Sequence, residues 1–119
     1  MHDPRLPIRV RLHEEALVIG VGGELDLATV PSFEEAAEAA IAEQEVDRGG
    51  GGGRLVVLDL LDLGFMDSSG LGAILALEAR HPEIRLKLVV GEGVVDRVLQ
   101  TTAMHKRLDI VSSVAEAVS

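Results

Sequence analysis

From Ile8 to His13 apolar and polar residues alternate, with Ile8, Val10 and Leu12 set against Arg9, Arg11 and His13. A period of two predicts a strand with one buried and one solvated face. Glu14-Glu15 turns the chain, and Ala16 to Val21 returns as a second strand, so the short connection predicts an antiparallel hairpin. Gly20, Gly22 and Gly23 mark its far end as irregular. The pattern then becomes helical. Phe33, Ala37, Ala40 and Ile41 make a buried stripe while Glu34, Glu35, Glu38 and Glu43 face water. Thr29 is the expected N-cap, with Pro31 in the first turn, and Ser32 with Glu35 offers an alternative capping box.

Leu55 to Leu61 is short, β-branched and almost continuously apolar, which predicts a central strand covered on both faces. Leu71, Ile74 and Leu75 begin a helical stripe that His81-Pro82 stops. Leu86, Leu88, Val89 and Val90 form another strand, ended by Gly91 and Gly93. Val94, Val95, Val98, Leu99 and Thr102 supply a third helical stripe, followed by a strand from Leu108 to Val111 and a terminal helix from about Ser113. This order is a β-hairpin feeding three βα units. Right-handed crossovers turn it into an α/β fold, a small mixed sheet with one antiparallel edge packed by about four helices.

With 119 residues the chain is expected to be a single domain spanning 1–119. Aromatics make up only 2%, so the core is built from Val, Leu, Ile and Ala, and no aromatic platform exists for stacking bases. A net charge of −9 repels a phosphate backbone, which argues against direct nucleic-acid binding. Eleven of the 20 acids, but only three of the 11 lysines and arginines, lie within residues 1 to 47, so the acidic surface is mainly the first helix and its flanks. Such a surface steers basic partners or is simply a solvated helix face. Absence of cysteine excludes disulfides and thiolate chemistry. No leader resembling a secretory signal precedes the first strand and no apolar run approaches membrane-spanning length, so the expected protein is soluble and cytoplasmic, with no membrane partner.

Candidate chemistry concentrates in Phe65-Met66-Asp67-Ser68-Ser69-Gly70-Leu71-Gly72, where a strand's carboxyl end meets a helix amino end. Ligands and partners dock at such crevices, and the free N–H groups of the helix favour an anion. The same residues also suit plain helix capping, with the glycines permitting close packing. Elsewhere little chemistry is suggested. Gly49 to Gly53 lie between a helix and a strand rather than after a strand, without a Lys-Ser or Lys-Thr pair, so they read as a flexible linker and not a phosphate loop. Neither serine has glycines at both flanking positions, as a hydrolase elbow requires, and no histidine spacing suggests a metal. His2, His13, His81 and His105 are read as surface residues, and neither enzymatic activity nor a cofactor is expected.

The stretch from Phe65 to Gly72 resembles the signature of bacterial anti-sigma-factor antagonists, the small partner-switching proteins of the STAS class. Gly23-Glu24-Leu25-Asp26, followed by Thr29 and Pro31, resembles the turn that family carries before its first helix. The resemblance implies a STAS-like fold and a phosphorylatable serine directly after the motif's aspartate, here Ser68, with Ser69 as a cap. It implies partner contacts at Asp26, Asp67, Ser68, Ser69 and Gly70. Unphosphorylated members bind an anti-sigma factor that is itself an ATP-dependent serine kinase, which frees a sigma factor and activates transcription. Phosphorylation ends that binding, and a PP2C-type phosphatase restores it. Two other readings accompany this one: a non-phosphorylated STAS subunit binding a transporter ATPase, and a small esterase.

Overall fold

The strands are β1 (Ile8–His13), β2 (Ala16–Val21), β3 (Gly23–Leu25), β4 (Leu55–Asp59), β5 (Leu63–Met66), β6 (Arg85–Val89) and β7 (Asp109–Val111) in a computed structural model that describes residues 3–47 and 54–119. The helices are α1 (Val30–Asp47), α2 (Ser68–Arg80), α3 (Val94–Thr101) and α4 (Val114–Val118). The glycine run, read above as a linker, lies outside the described residues. The main sheet has five strands in the order β1-β2-β4-β6-β7, with β1 antiparallel to β2 and the others parallel. The mixed α/β architecture expected from the periodicities is therefore present, with β4 in the centre.

Alternation along each strand sorts the core into two layers. Leu17, Ile19 and Val21 of β2, Val56 and Leu58 of β4 and Leu86 and Leu88 of β6 join Phe33, Ile41, Ile74, Leu77 and Leu99 from the helices in the larger cluster. On the other face Ala16, Val18, Val57 and Val89 pack with Ala117 of α4. The Lys87 Nζ donates to the Ala117 carbonyl at 3.0 Å and so fastens the end of this short helix to the sheet.

Several expectations change. In β1 the apolar face is covered only at Ile8, which packs against the core, whereas Val10 and Leu12 are 47% and 55% exposed. They lie opposite Ile19 and Leu17 on the larger-core face, but β1 is the outer strand and the helices cover the inner ones. The cations Arg9 and Arg11 on the other face of this free edge discourage pairing with a second copy. The region after β2 also departs from a simple loop. It forms β3, which pairs in parallel with β5 as a separate two-stranded sheet, so α2 follows β5 and not the central strand directly. At the bend into it, Gly23 has φ +78, and a Cβ there would collide with the Arg5 carbonyl.

His81 is not a plain surface residue. Its side chain, 17% exposed, faces Glu38 of α1 at 2.6 Å and Glu83 at 3.1 Å, while Arg80 Nε donates to Glu38 at 2.7 Å. Burial opposes the charged ring, but hydrogen bonds and charge attraction from Glu38 and Glu83 outweigh it and raise the His81 pKa above 6.5. Burial likewise opposes charge on Glu38, and Arg80 with His81 outweighs it, lowering that carboxyl below 4.5.

The signs give a pH window for this clamp between α1 and α2. Glu38 contributes stability above pH 4.5 that is lost as pH falls through its depressed pKa. His81 contributes stability below pH 6.5 that is lost as pH rises through its raised pKa. Urea unfolding at graded pH should show a decline of order 1 kcal/mol on the alkaline side, and His81→Gln should abolish that slope. An unchanged slope in the variant would remove His81 as its source.

Candidate functional site

Two turns meet at the carboxyl ends of β3 and β5. Leu25 is in register with Met66, so Asp26 and Asp67 leave the paired strands side by side, and the Asp67 amide donates to the Leu25 carbonyl at 3.4 Å. The sequence separates these residues by 41 positions; the small parallel sheet closes that gap.

The first turn is held by its own polar groups. Asp26 Oδ1 accepts from the Ala28 and Thr29 amides at 3.0 and 3.1 Å. Thr29 is fully buried; its hydroxyl donates to the Glu24 carbonyl at 2.8 Å and accepts from the Asp26 amide at 2.9 Å. Thr29 does precede α1, and its carbonyl accepts from Phe33, but its hydroxyl points back into the turn instead of capping the helix forward. Because α1 begins at Val30, Ser32 lies inside the helix, and the alternative capping box is not the start. Arg5 adds an outer strut, for its carbonyl accepts from the Glu24 amide at 3.0 Å. A hydrogen bond to Asp3 and that acid's charge raise the Arg5 pKa and outweigh desolvation, and Asp26 and Glu24 add weaker attraction.

In the second turn the cap is Asp67, not Ser69. Asp67 is extended, with φ −112 and ψ −171, and its carboxylate accepts from the Gly70 amide at 3.1 Å. Ser68 is therefore the first helical residue and is exposed, while Ser69 is half-buried. Gly70, expected among the partner contacts, is buried. A Cβ at this position would lie 2.7 Å from the Leu25 carbonyl oxygen and 2.9 Å from carbons of Leu25 and Met66, so the residue's task is to let α2 approach β3. Gly72 has nothing within 4 Å of such a Cβ and has no matching packing role.

A cleft of about 300 Å³ opens beside Ser68, between the start of α2 and α3. Asp67 and Ser68 form one wall, and Val94, Arg97 and Val98 are on the other. The periodicity had assigned Val94 to the buried stripe of α3, but it is 37% exposed. An apolar stripe wider than one helix face needs for the core was the available signal. Acids outnumber bases around this end: Glu24 and Glu92 are exposed and Asp26 and Asp67 half-buried, against Arg97 on the cleft wall and Arg5, which is attracted by Asp26 and Glu24. Among the described residues no cluster of His, Asp and Glu is disposed to hold a metal ion, and no helix is long and apolar enough to cross a membrane.

A family model described as the STAS domain matches residues 7–117. Among solved structures the chain is similar to an anti-sigma factor antagonist from Mycobacterium paratuberculosis, with a TM-score of 0.82 and 23% identity, over 99% of this chain and 96% of that one. It is also similar to the anti-sigma factor antagonist SpoIIAA in its unphosphorylated form, with a TM-score of 0.68 and 22% identity, over 94% and 93% of the two chains. At these identities the likeness establishes a shared fold.

Since Gly70 lies against backbone and Gly72 against nothing, the two glycines should respond oppositely to a methyl group. Gly70→Ala should destabilise the protein by about 1–3 kcal/mol through overpacking. Gly72→Ala should be neutral or stabilising by up to about 1 kcal/mol, as usual for a helix interior. Chemical denaturation of both variants measures the difference, and equal effects would refute the close-approach role of Gly70.

Proposed function

The chain belongs to the STAS-domain family, and on that premise we propose that it is an anti-sigma-factor antagonist switched by phosphorylation of Ser68. Unphosphorylated, it binds an anti-sigma factor with ATP-dependent serine kinase activity and so releases a sigma factor. A PP2C-type phosphatase resets it, and the protein itself is not an enzyme and acts in the cytoplasm. The observation that carries this reading is the position of Ser68: an exposed hydroxyl on the first residue of α2, next to the Asp67 cap.

The physical logic is local. A phosphoryl group adds about −1.5 to −2 charge at pH 7. At a helix amino end that charge meets the positive end of the dipole and free N–H groups, so the isolated domain accommodates it. A partner's desolvated surface does not, because Asp67 and Asp26 already supply negative charge at the paired strand ends. Asp26, Asp67 and Ser69 then flank the contact, and Gly70 supports it from beneath.

Titration calorimetry against each purified ATP-dependent anti-sigma kinase of the host tests the proposal. Ser68→Ala should fold, bind and resist inactivation by ATP, whereas phosphoprotein and Ser68→Asp should bind weakly. A burial cost of about 3 kcal/mol corresponds to a loss of more than roughly a hundredfold. Equal affinity for all forms contradicts the switch, and phosphate mapped by mass spectrometry to Ser69 contradicts the residue assignment. Asp26→Asn retains the oxygen that accepts from Ala28 and Thr29. It should therefore melt normally while losing about tenfold in affinity, and wild-type affinity would confine Asp26 to a structural role.

A further inference from the structure

We propose that the partner anchors an apolar side chain, carried on a basic surface, in the cleft between α2 and α3, and that Ser68 controls access to it. This rests on the anti-sigma partner proposed above and assigns α3 to the interface. Val94 and Val98 give the cleft an apolar wall, and Thr101 extends it along α3. Its volume, about 300 Å³, is at the lower limit of small-molecule sites, ~300–1,000 Å³. The opening suits a single inserted side chain of the kind that dominates interface energetics.

Two surface features define the occupant. Of the six large apolar residues exposed among the described residues, four lie toward this end, Leu27 after β3, Leu61 after β4, Phe65 within β5 and Val94 at the start of α3; the other two, Val10 and Leu12, are on β1. Phe65, 43% exposed, is a rigid aromatic just two residues before Asp67. Glu24 and Glu92, with Asp26 and Asp67, outnumber the cations of this end, Arg97 on the cleft wall and Arg5 near Asp26 and Glu24, so the complementary face is apolar at its centre and basic at its rim. Since Ser68 belongs to the cleft wall, a phosphoryl group there places charge and bulk where the anchor must pass.

Two substitutions of opposite charge separate burial from simple steering. Val94→Glu places an acid in the first turn of α3, and Thr101→Lys a base in its last turn; both suit the helix dipole and should preserve folding. If the cleft is filled by an apolar anchor, each should lower affinity for the unphosphorylated form at least tenfold, with an unchanged melting midpoint. Val10→Glu, the same kind of change on the distant edge strand, should leave affinity unchanged. If Val94→Glu fails to fold, Thr101→Lys alone decides. Wild-type affinity in the folded variants, or weakening by Lys together with strengthening by Glu, overturns the anchored cleft while leaving the functional proposal intact. Failure of the wild-type protein to bind any purified anti-sigma kinase overturns both.

Discussion

Contact between the backbone of α2 and the carbonyl of Leu25 sets the geometry on which the rest of the site depends. Only a residue without a side chain fits there, since even a methyl group at Gly70 would approach that oxygen to 2.7 Å. The approach brings the helix start against β3, and the pairing of β3 with β5 then aligns Asp26 with Asp67. Thr29 inside one turn and the Asp67 carboxylate inside the other satisfy the amides that these tight conformations would otherwise strand. Polar side chains at this end are thus committed to holding backbone, which leaves the Ser68 hydroxyl presented on a rigid support.

That rigidity bears on how a small chemical change is read by another protein. A site on a mobile loop would spread the effect of a phosphoryl group over many conformations, whereas a capped helix start holds it in one place. On the proposed reading the negative rim attracts a basic partner and the cleft takes its apolar side chain; a phosphoryl group at Ser68 acts against the second of these, by placing charge and bulk at the cleft wall. A switch of this type needs no second fold, only a difference in interface free energy.

Much of the architecture was legible because the periodicities are clean. The stripe of Phe33, Ala37, Ala40 and Ile41 is buried as expected, and the strand beginning at Leu55 is central because both its faces are apolar. β3 and β5 escaped detection because strands of three and four residues that include Gly23 and Gly64 give no usable alternation. Val10 and Leu12 show that alternation assigns side chains to a face but does not say whether that face is covered at the sheet edge. At the site, the motifs located the two turns. Which of Asp67, Ser68 and Ser69 caps the helix depends on where its first turn starts, and three adjacent capping residues leave that open. The His81 clamp was hidden because its partner Glu38 is 43 positions away.

Modification of Ser68, on the proposed reading, alters recognition and leaves the fold in place. Amide NMR spectra and hydrogen exchange of the unphosphorylated and phosphorylated protein test this most directly. Shift changes should be confined to the two turns, the first turn of α2 and the facing side of α3, with exchange protection of β2, β4 and β6 unaltered. Shift changes throughout the sheet, or loss of protection in β4, would contradict it.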